Sequence, residues 1–466
     1  MKKTIAAFIL CILIVTAPNT AQSADFNNQL PPELSGWQKE IKELLGQFST
    51  IDSAEAAASE ASAAVETSRQ KFYPTLSAGS QLSRSQTNAD SNNGQNLKSG
   101  PDNDLQLNLT LRQNVFSGGV DWQKMTLAQK REKLARLRAM LAKRNHVRQW
   151  LKDVASILHQ QQIVALQTEA ATQAKALKVL ATRKEASGFL GRRDLLDSER
   201  ELLRVEQETL QANNTLQELQ TRYSSVYRMA LSKDHKTDDF KVFLSAAAGM
   251  DSDKAKHADA AGSLMTVALS ELELSLAEED ATLASRGRFS PRIDLAAQAL
   301  SSRQLNDTRT NSGTLNSRGS AAGDSTRSWS LSLSGELAFN PPTAFGVMEE
   351  ARARISSARI SQQSTRESAI ASLNNTHTRL QQIREQKRGY ERLLTLTRQL
   401  HEKNQRLFEA GELSIDRLIA SQQTLSRDTI TLASIGHDEL RLAIDISLSR
   451  SWNLAPAAGN TQATTP

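Results

Sequence analysis

The residues best placed to do chemistry are two clusters of charge beside glycines. Arg192, Arg193, Asp194 and Asp197 follow Gly188, and Asp416 and Arg417 follow Gly411. Guanidinium and carboxylate groups at this spacing can form and release ion pairs; they break no covalent bonds. No phosphate-cradling glycine loop with a lysine and no Gly-x-Ser-x-Gly elbow occurs in the chain. The seven histidines (His146, His159, His235, His257, His377, His401 and His437) lack metal-ligand spacing and read as helix-surface or linker residues. The chain is therefore expected to be no enzyme, with no catalytic residue, metal or cofactor.

What must position those charges is a pair of very long helices. Val120–Ser187 contains neither proline nor glycine, and Val347–Ala410 contains no proline. At 1.5 Å per residue each would extend roughly 100 Å if continuous. Apolar residues step by three and four, with Val147, Leu151, Val154 and Leu158 in the first and Leu393, Leu396, Leu400 and Leu407 in the second. Each helix meets a glycine-containing break and returns, which predicts antiparallel hairpins over about 119–229 and 347–453. The two hairpins belong to an internal duplication. Phe339, Ala351, Gly411, Leu418 and Ser421 each lie 223 positions after Phe116, Ala128, Gly188, Leu195 and Ser198.

Lys2 and Lys3 precede an apolar run from Ile5 to Val15, then Ala21-Gln22-Ser23-Ala24, which reads as a signal peptide over 1–23. Cleavage after Ser23 or Ala24 removes Cys11, the only cysteine, so the mature chain holds no disulfide and no cysteine-bound metal. Removing Lys2 and Lys3 also lowers the formal charge of +6 to about +4. With 5% aromatics and 39% hydrophobics the chain is expected to bury narrow helix stripes rather than one thick core. Its charges are interspersed, and no basic patch interleaved with aromatics suggests nucleic acid.

Four segments alternate with period two. Leu105, Leu107, Leu109 and Leu111 alternate with Gln106, Asn108, Thr110 and Arg112; Trp329, Leu331, Leu333, Leu337 and Phe339 alternate with small or polar residues. Leu76, Ala78 and Leu82, and Ile293, Leu295, Ala297 and Ala299, form the preceding strand of each pair. Strands are expected over about 74–83, 105–116, 291–300 and 329–339. Segments of ~9–11 residues with one apolar face have the length and pattern of transmembrane β-strands. The polar loops within the pairs, Ser83–Asp104 and Ser301–Arg327, fit the external side of an outer membrane. Four strands cannot close a barrel, and an open edge in hydrocarbon leaves backbone groups unsatisfied. The polar inner set of Ser, Thr, Asn, Gln and Arg favours a wet lumen, hence three chains and twelve strands.

Tyr73-Pro74-Thr75-Leu76-Ser77 and Leu111-Arg112-Gln113-Asn114-Val115-Phe116-Ser117-Gly118-Gly119 resemble the strand and strand-to-helix signatures of the TolC-like outer membrane efflux and secretion proteins. Phe408-Glu409-Ala410-Gly411-Glu412-Leu413-Ser414, with Asp416, Leu418 and Ser421-Gln422-Gln423-Thr424-Leu425, resembles their helix-hairpin signature. The resemblance implies a mainly α chain with transmembrane β and two structural repeats. It also implies a homotrimer in outer-membrane lipid, a twelve-stranded β-barrel continued by a periplasmic α-helical barrel. Such a trimer is the passive exit duct of a tripartite efflux or type I secretion system, docked to a periplasmic adaptor and an inner-membrane transporter of ABC or RND type. It further implies that the breaks are periplasmic tips, with a gate of Arg192, Arg193, Asp194, Asp197, Phe408, Asp416 and Arg417. Adaptor docking would fall to Gly188, Phe189, Leu190, Gly411 and Leu413. Asp194 matches an aspartate of the family's closing network. Arg417 and Ala420 stand where the best-known member has aspartates, so an arginine ring or Arg–Asp pairs are both open.

The remaining organisation is a first repeat over 24–232, an inter-repeat linker over 233–262, a second repeat over 263–454 and a disordered tail over 455–466. The competing readings are a periplasmic adaptor with coiled-coil hairpins and a helical scaffold without a channel. Cargo, pump and ion selectivity are not written in the sequence.

Overall fold

The computed structural model describes residues 32–85, 102–231, 237–248, 264–304, 325–337 and 341–450. The expected signal peptide, the inner parts of both polar loops, most of the linker, Phe339 and the tail lie outside the described residues. Helices α1 (Gln38–Leu45) and α2 (Ser49–Gln70) lead into strands β1 (Thr75–Ser85) and β2 (Asp102–Phe116). Helix α3 (Val120–Ala186) and its return α4 (Arg192–Tyr227) follow, then the short α5 (Lys241–Ala248). The second repeat comprises α6 (Met265–Phe289), β3 (Arg292–Gln304), β4 (Ser325–Glu336), α7 (Pro341–Glu409) and α8 (Ile415–Arg450).

The compact units are not the two repeats. One comprises Met1–Phe48, Lys143–Met265 and Ile370–Pro466; the other comprises Ser49–Ala142 and Thr266–Ala369. Each unit draws segments from both copies, because the strand pairs join edge to edge through β2 and β3 and the helix breaks share one buried cluster.

The second unit holds a single antiparallel sheet in the order β1-β2-β3-β4. The strands are longer than the alternation predicted, and β4 starts four residues earlier, at Ser325. Ser330 and Ser328 continue the ladder with β3 although they carry no apolar signal. Below the sheet, Leu127 and Leu134 of α3 meet Leu276 of α6 in a small buried cluster. Lys130 Nζ pairs with Glu279 at 2.7 Å on the flank of that contact. Gly118, at φ 62°, shows why the strand-to-helix turn carries glycine. A Cβ there would lie 2.1 Å from the Cβ of Ser290, closer than any side chain tolerates.

The first unit concentrates the few aromatics of the chain. Trp37 meets Trp150 edge-on at 5.4 Å and Phe240 at 5.2 Å, and all three are buried. Trp150 Nε1 donates to Tyr223 Oη at 2.8 Å, and Tyr227 Oη donates to Asp153 Oδ2 at 2.5 Å. The polar ends of Trp150, Tyr223 and Tyr227 therefore each have a partner, as burial of Trp and Tyr requires. Phe240 and Phe243 bring α5 into this core, where it packs on α8.

The stripe Val147, Leu151 and Val154 is fully buried, with Leu158 half-buried. The stripe chosen for the second helix is not its inner face. Leu393, Leu396 and Leu400 are exposed, while Leu380, Ile383, Leu394, Thr397 and Phe408 face inward. Thr397 Oγ1 donates to Asp428 Oδ2 at 2.9 Å inside that seam. Helix α7 thus carries two apolar stripes, and only one is used within the protomer. Gly389 sits inside α7 without ending it.

Candidate functional site

Two places bear on function, one in each unit. The first is the sheet, whose register sorts side chains by polarity. Leu76 pairs with Leu111, Leu111 with Ala297, and Ala297 with Leu331; one step on, Ala78, Leu109, Ala299 and Trp329 align. Because side chains alternate sides, these rows share one face. Ser77, Gly79, Thr110, Asn108, Gln298 and Ser330 share the other. The apolar face is bare: Leu76 is 67% exposed, Leu333 70% and Trp329 82%. A soluble sheet would cover such a face, since contiguous apolar surface in water marks a contact with something else. The outer edges of β1 and β4 are also unpaired among the described residues.

On the polar face, Asp294 is almost wholly buried and holds two arginines. Arg112 NH2 lies 2.7 Å and Arg292 Nε 3.0 Å from Asp294 Oδ2. Nearby, Asn114 Nδ2 donates to Asp121 Oδ2 at 2.6 Å and ties the end of β2 to the first turn of α3.

The second place is the pair of helix breaks, in the other unit. Gly188 and Gly411 are left-handed, with φ 75° and 84°. Phe189 N donates to Lys184 O at 2.8 Å and Gly188 N to Glu185 O at 2.9 Å. Glu412 N donates to Leu407 O at 2.9 Å and Gly411 N to Phe408 O at 3.1 Å. Both breaks are the same Schellman cap, in which only glycine takes the left-handed φ without a Cβ penalty.

The two tips share one core. Leu177, Ala181, Leu195, Phe408, Ile415, Leu418 and Ile419 are buried together, with Leu190 and Leu413 packed against them. Phe408 is 1% exposed and anchors the tip from within, whereas Phe189 is 82% exposed. Leu190 and Leu413 are half-buried, so Phe189 is the bare apolar side chain of the set.

The charged residues do not form one network within a protomer. Asp194 Oδ2 accepts the Gly191 N–H at 3.1 Å, the N3 half of a capping box, and Gly191 has no side chain to return the bond. Arg192 pairs with Glu185 at 3.6 Å, and Asp197 is shared by Arg193 at 4.0 Å and Arg200 at 3.4 Å. Asp416 and Arg417 are exposed and have no ion-pair partner among the described residues. The structure does not bring Asp194 and Arg417 together within one chain.

The residue that sequence reading missed is Lys184. Its Nζ reaches the carbonyls of Phe408 at 2.5 Å and Glu409 at 3.2 Å and lies 4.5 Å from the centre of the Phe408 ring. A cation at the negative end of α7 is favoured by the unpaired carbonyls there. A basic side chain in the last turn of α3 was visible; its partner, more than two hundred residues away, was not.

Away from the tips, His159 and His437 stack face to face at 4.5 Å and 2°. Burial lowers the pKa of both, and the neighbouring His159 and Arg441 help bring His437 down to about 4. Their Nδ1 atoms are buried without hydrogen-bond partners. No cluster of three metal-ligating side chains occurs among the described residues.

Residues 41–223 match the outer membrane efflux protein family. No curated protein sequence matches the chain. Among solved structures, a membrane protein from Pseudomonas aeruginosa superposes with TM-score 0.70 at 16% identity, over 92% of each chain. The outer membrane protein VceC from Vibrio cholerae gives 0.70 at 13% identity, covering 89% of this chain and 96% of that one. The CmeC outer membrane channel of Campylobacter jejuni gives 0.68 at 13% identity, covering 92% and 88%. At these identities the superpositions speak to the fold. The resemblance to TolC-like outer membrane efflux proteins is borne out by the family match and by that fold, and the adaptor and scaffold readings find no support in either.

Proposed function

We propose that this chain, bearing the outer membrane efflux match over residues 41–223, is the outer-membrane exit duct of a tripartite efflux or secretion assembly. One observation carries the reading: the register puts Leu76, Leu82, Leu105, Leu107, Leu109, Leu111, Leu295, Leu331 and Leu333 on one face of an uncovered sheet, while Ser77, Asn108, Thr110, Gln298 and Ser330 lie on the other, where Leu300 is the one leucine among the described strands. Such a wall suits lipid on one side and water on the other. Transport through it is passive and uses no catalytic residue.

The free edges of β1 and β4 argue for closure with further copies, three chains giving twelve strands. The helical surface supports the same arrangement. Leu196, Leu203 and Leu210 recur every seven residues along the exposed side of α4, and Leu393, Leu396 and Leu400 line the exposed side of α7. In a ring, the α4 stripe of one subunit meets the α7 stripe of the next. The tips then serve adaptor docking through Phe189 and the capped glycines Gly188 and Gly411, with Leu190 and Leu413 behind them. Arg192, Arg193, Asp194, Asp197, Asp416 and Arg417 form the gate around the entrance, where the unpaired Asp416 and Arg417 find partners on neighbouring subunits. An ABC- or RND-type pump with its adaptor supplies energy and cargo.

The test is membrane fractionation, unheated gel electrophoresis and planar-bilayer recording. A detergent-resistant trimer in the outer-membrane fraction that conducts supports the duct. A soluble monomer, or a membrane protein without conductance, overturns it.

A further inference from the structure

The arginines of the sheet divide by face. On the polar face, Arg112 and Arg292 are both neutralised by Asp294. The other arginines, Arg84, Arg303 and Arg327, fall in step with the leucines. Leu82 is two residues from Arg84 and pairs with Leu105, which in turn pairs with Arg303; Arg327 pairs with Ser301, which pairs with Leu107. Side chains two residues apart on a strand share a face, so all three arginines lie on the leucine face.

They also lie at one end of it. Arg327 is one step beyond Trp329 on β4, Arg303 one row further, and Arg84 one row beyond that. Rows are about 7 Å apart along a strand, so the group occupies the last ~15 Å before the segments that join the strands. All three side chains are exposed, and among the described residues none has a carboxylate partner. The acidic residues at that end of the described strands, Asp102 and Asp104, have the opposite parity and belong to the polar face. The apolar face thus passes from leucine, through the 82%-exposed Trp329, to a group of exposed guanidinium ions without a carboxylate partner among the described residues.

Three exposed guanidinium groups above a lipid-facing leucine band, with no carboxylate partner among the described residues, suit an anion that is itself held at that level. Guanidinium binds phosphate through paired N–H donors, more strongly than a point charge would. An aromatic at the interface with basic groups beyond it is the pattern that addresses lipid headgroups. We infer that Arg84, Arg303 and Arg327 form a binding patch for the phosphate groups of a phosphorylated lipid in the outer leaflet, whose acyl chains lie along the leucine rows. The inference rests on the outer-membrane reading above, which places this end of the sheet on the external side.

The probe is a bisphosphorylated, hexa-acylated glucosamine disaccharide lipid, compared with its dephosphorylated form. Retention by the purified full-length protein is read by native mass spectrometry in detergent. The wild-type protein is expected to favour the phosphorylated lipid by roughly tenfold, and R84Q/R303Q/R327Q to lose most of that preference. Single variants R303Q and R327Q, each expected to lose about half of the preference in log units, carry the test if the triple variant fails to assemble. Equal retention of both lipids by the wild type, or an undiminished preference in the variants, overturns the patch. Release of the lipid by excess inorganic phosphate alone would show a free-phosphate site and overturns the lipid assignment. A chain absent from the outer-membrane fraction that still prefers the phosphorylated lipid overturns the localisation and supports the patch. A chain present there with no preference overturns the patch alone.

Discussion

Leu203 is the sharpest test of how subunits meet. It lies mid-stripe on α4, between Leu196 and Leu210, and is 65% exposed in the protomer. Fully burying a leucine contributes about 1.5–3 kcal/mol, so covering the exposed part of Leu203 contributes about 1–2 kcal/mol per copy. Three equivalent contacts in a trimer make that about 3–6 kcal/mol for the assembly. Leu203→Ala removes most of it and touches nothing buried in the isolated chain, where a surface change should stay within about 0.5 kcal/mol. Leu203→Glu adds a desolvated carboxylate and should prevent assembly. The assay is the temperature at which the trimer band is lost on gels, with helix content followed by circular dichroism. The expected result is a lower dissociation temperature for alanine, no trimer for glutamate, and unchanged helix content in both. On the proposed ring, combining Leu203→Ala with Leu396→Ala should cost less than the two losses added, and strict additivity would count against contact between the stripes. If Leu203→Glu assembles like the wild type, the α4 stripe does not face another subunit.

Acid should loosen the unit that contains His159 and His437. Both pKa values are lowered in the fold, so the unfolded chain binds more protons below about pH 6.5, and stability falls as pH drops from there toward 4. Discounted for partial exposure, the His437 shift amounts to about 1–2 kcal/mol; hydrogen exchange of α8 at pH 7 and 4.5 reads it, and His437→Gln should flatten the dependence. Asp194→Ala removes the acceptor of the Gly191 N–H at the start of α4 and should destabilise the tip by about 1 kcal/mol, seen as faster amide exchange at Gly191. If Asp194 and Arg417 also gate, each alanine variant should raise single-channel conductance, and unchanged conductance in both singles and the double removes them from the gate. Lys184→Met keeps the apolar stem but strips the charge from the end of α7, and should raise exchange around Phe408 while leaving the aromatic core near Trp150 unchanged.

The sheet was legible because alternation with period two already states which side chains share a face. The polar continuations of the strands escaped, at residues 84–85, 102–104, 301–304 and 325–328. The glycine breaks were legible for a similar reason, since a left-handed helix end needs that residue type. Periodicity misled at α7, where leucines spaced by three and four mark a helix face but not its occupant. Leu394 and Leu396 obey the same rule, yet one is buried within the chain and the other bare. The charges were visible as residues but not as pairs. Asp194 is held by a backbone N–H three residues away, and Lys184 by carbonyls of the other repeat.

The grip of Lys184 on Phe408 has no counterpart in the second copy. The position 223 residues on is Leu407, which cannot donate to anything. The duplicated halves have therefore diverged into a giver and a receiver. A chimaera of two first halves would supply a lysine to the backbone carbonyls of both ends, and one of two second halves would supply none to either. The link between the two tips thus rests on a single cation that one half alone supplies.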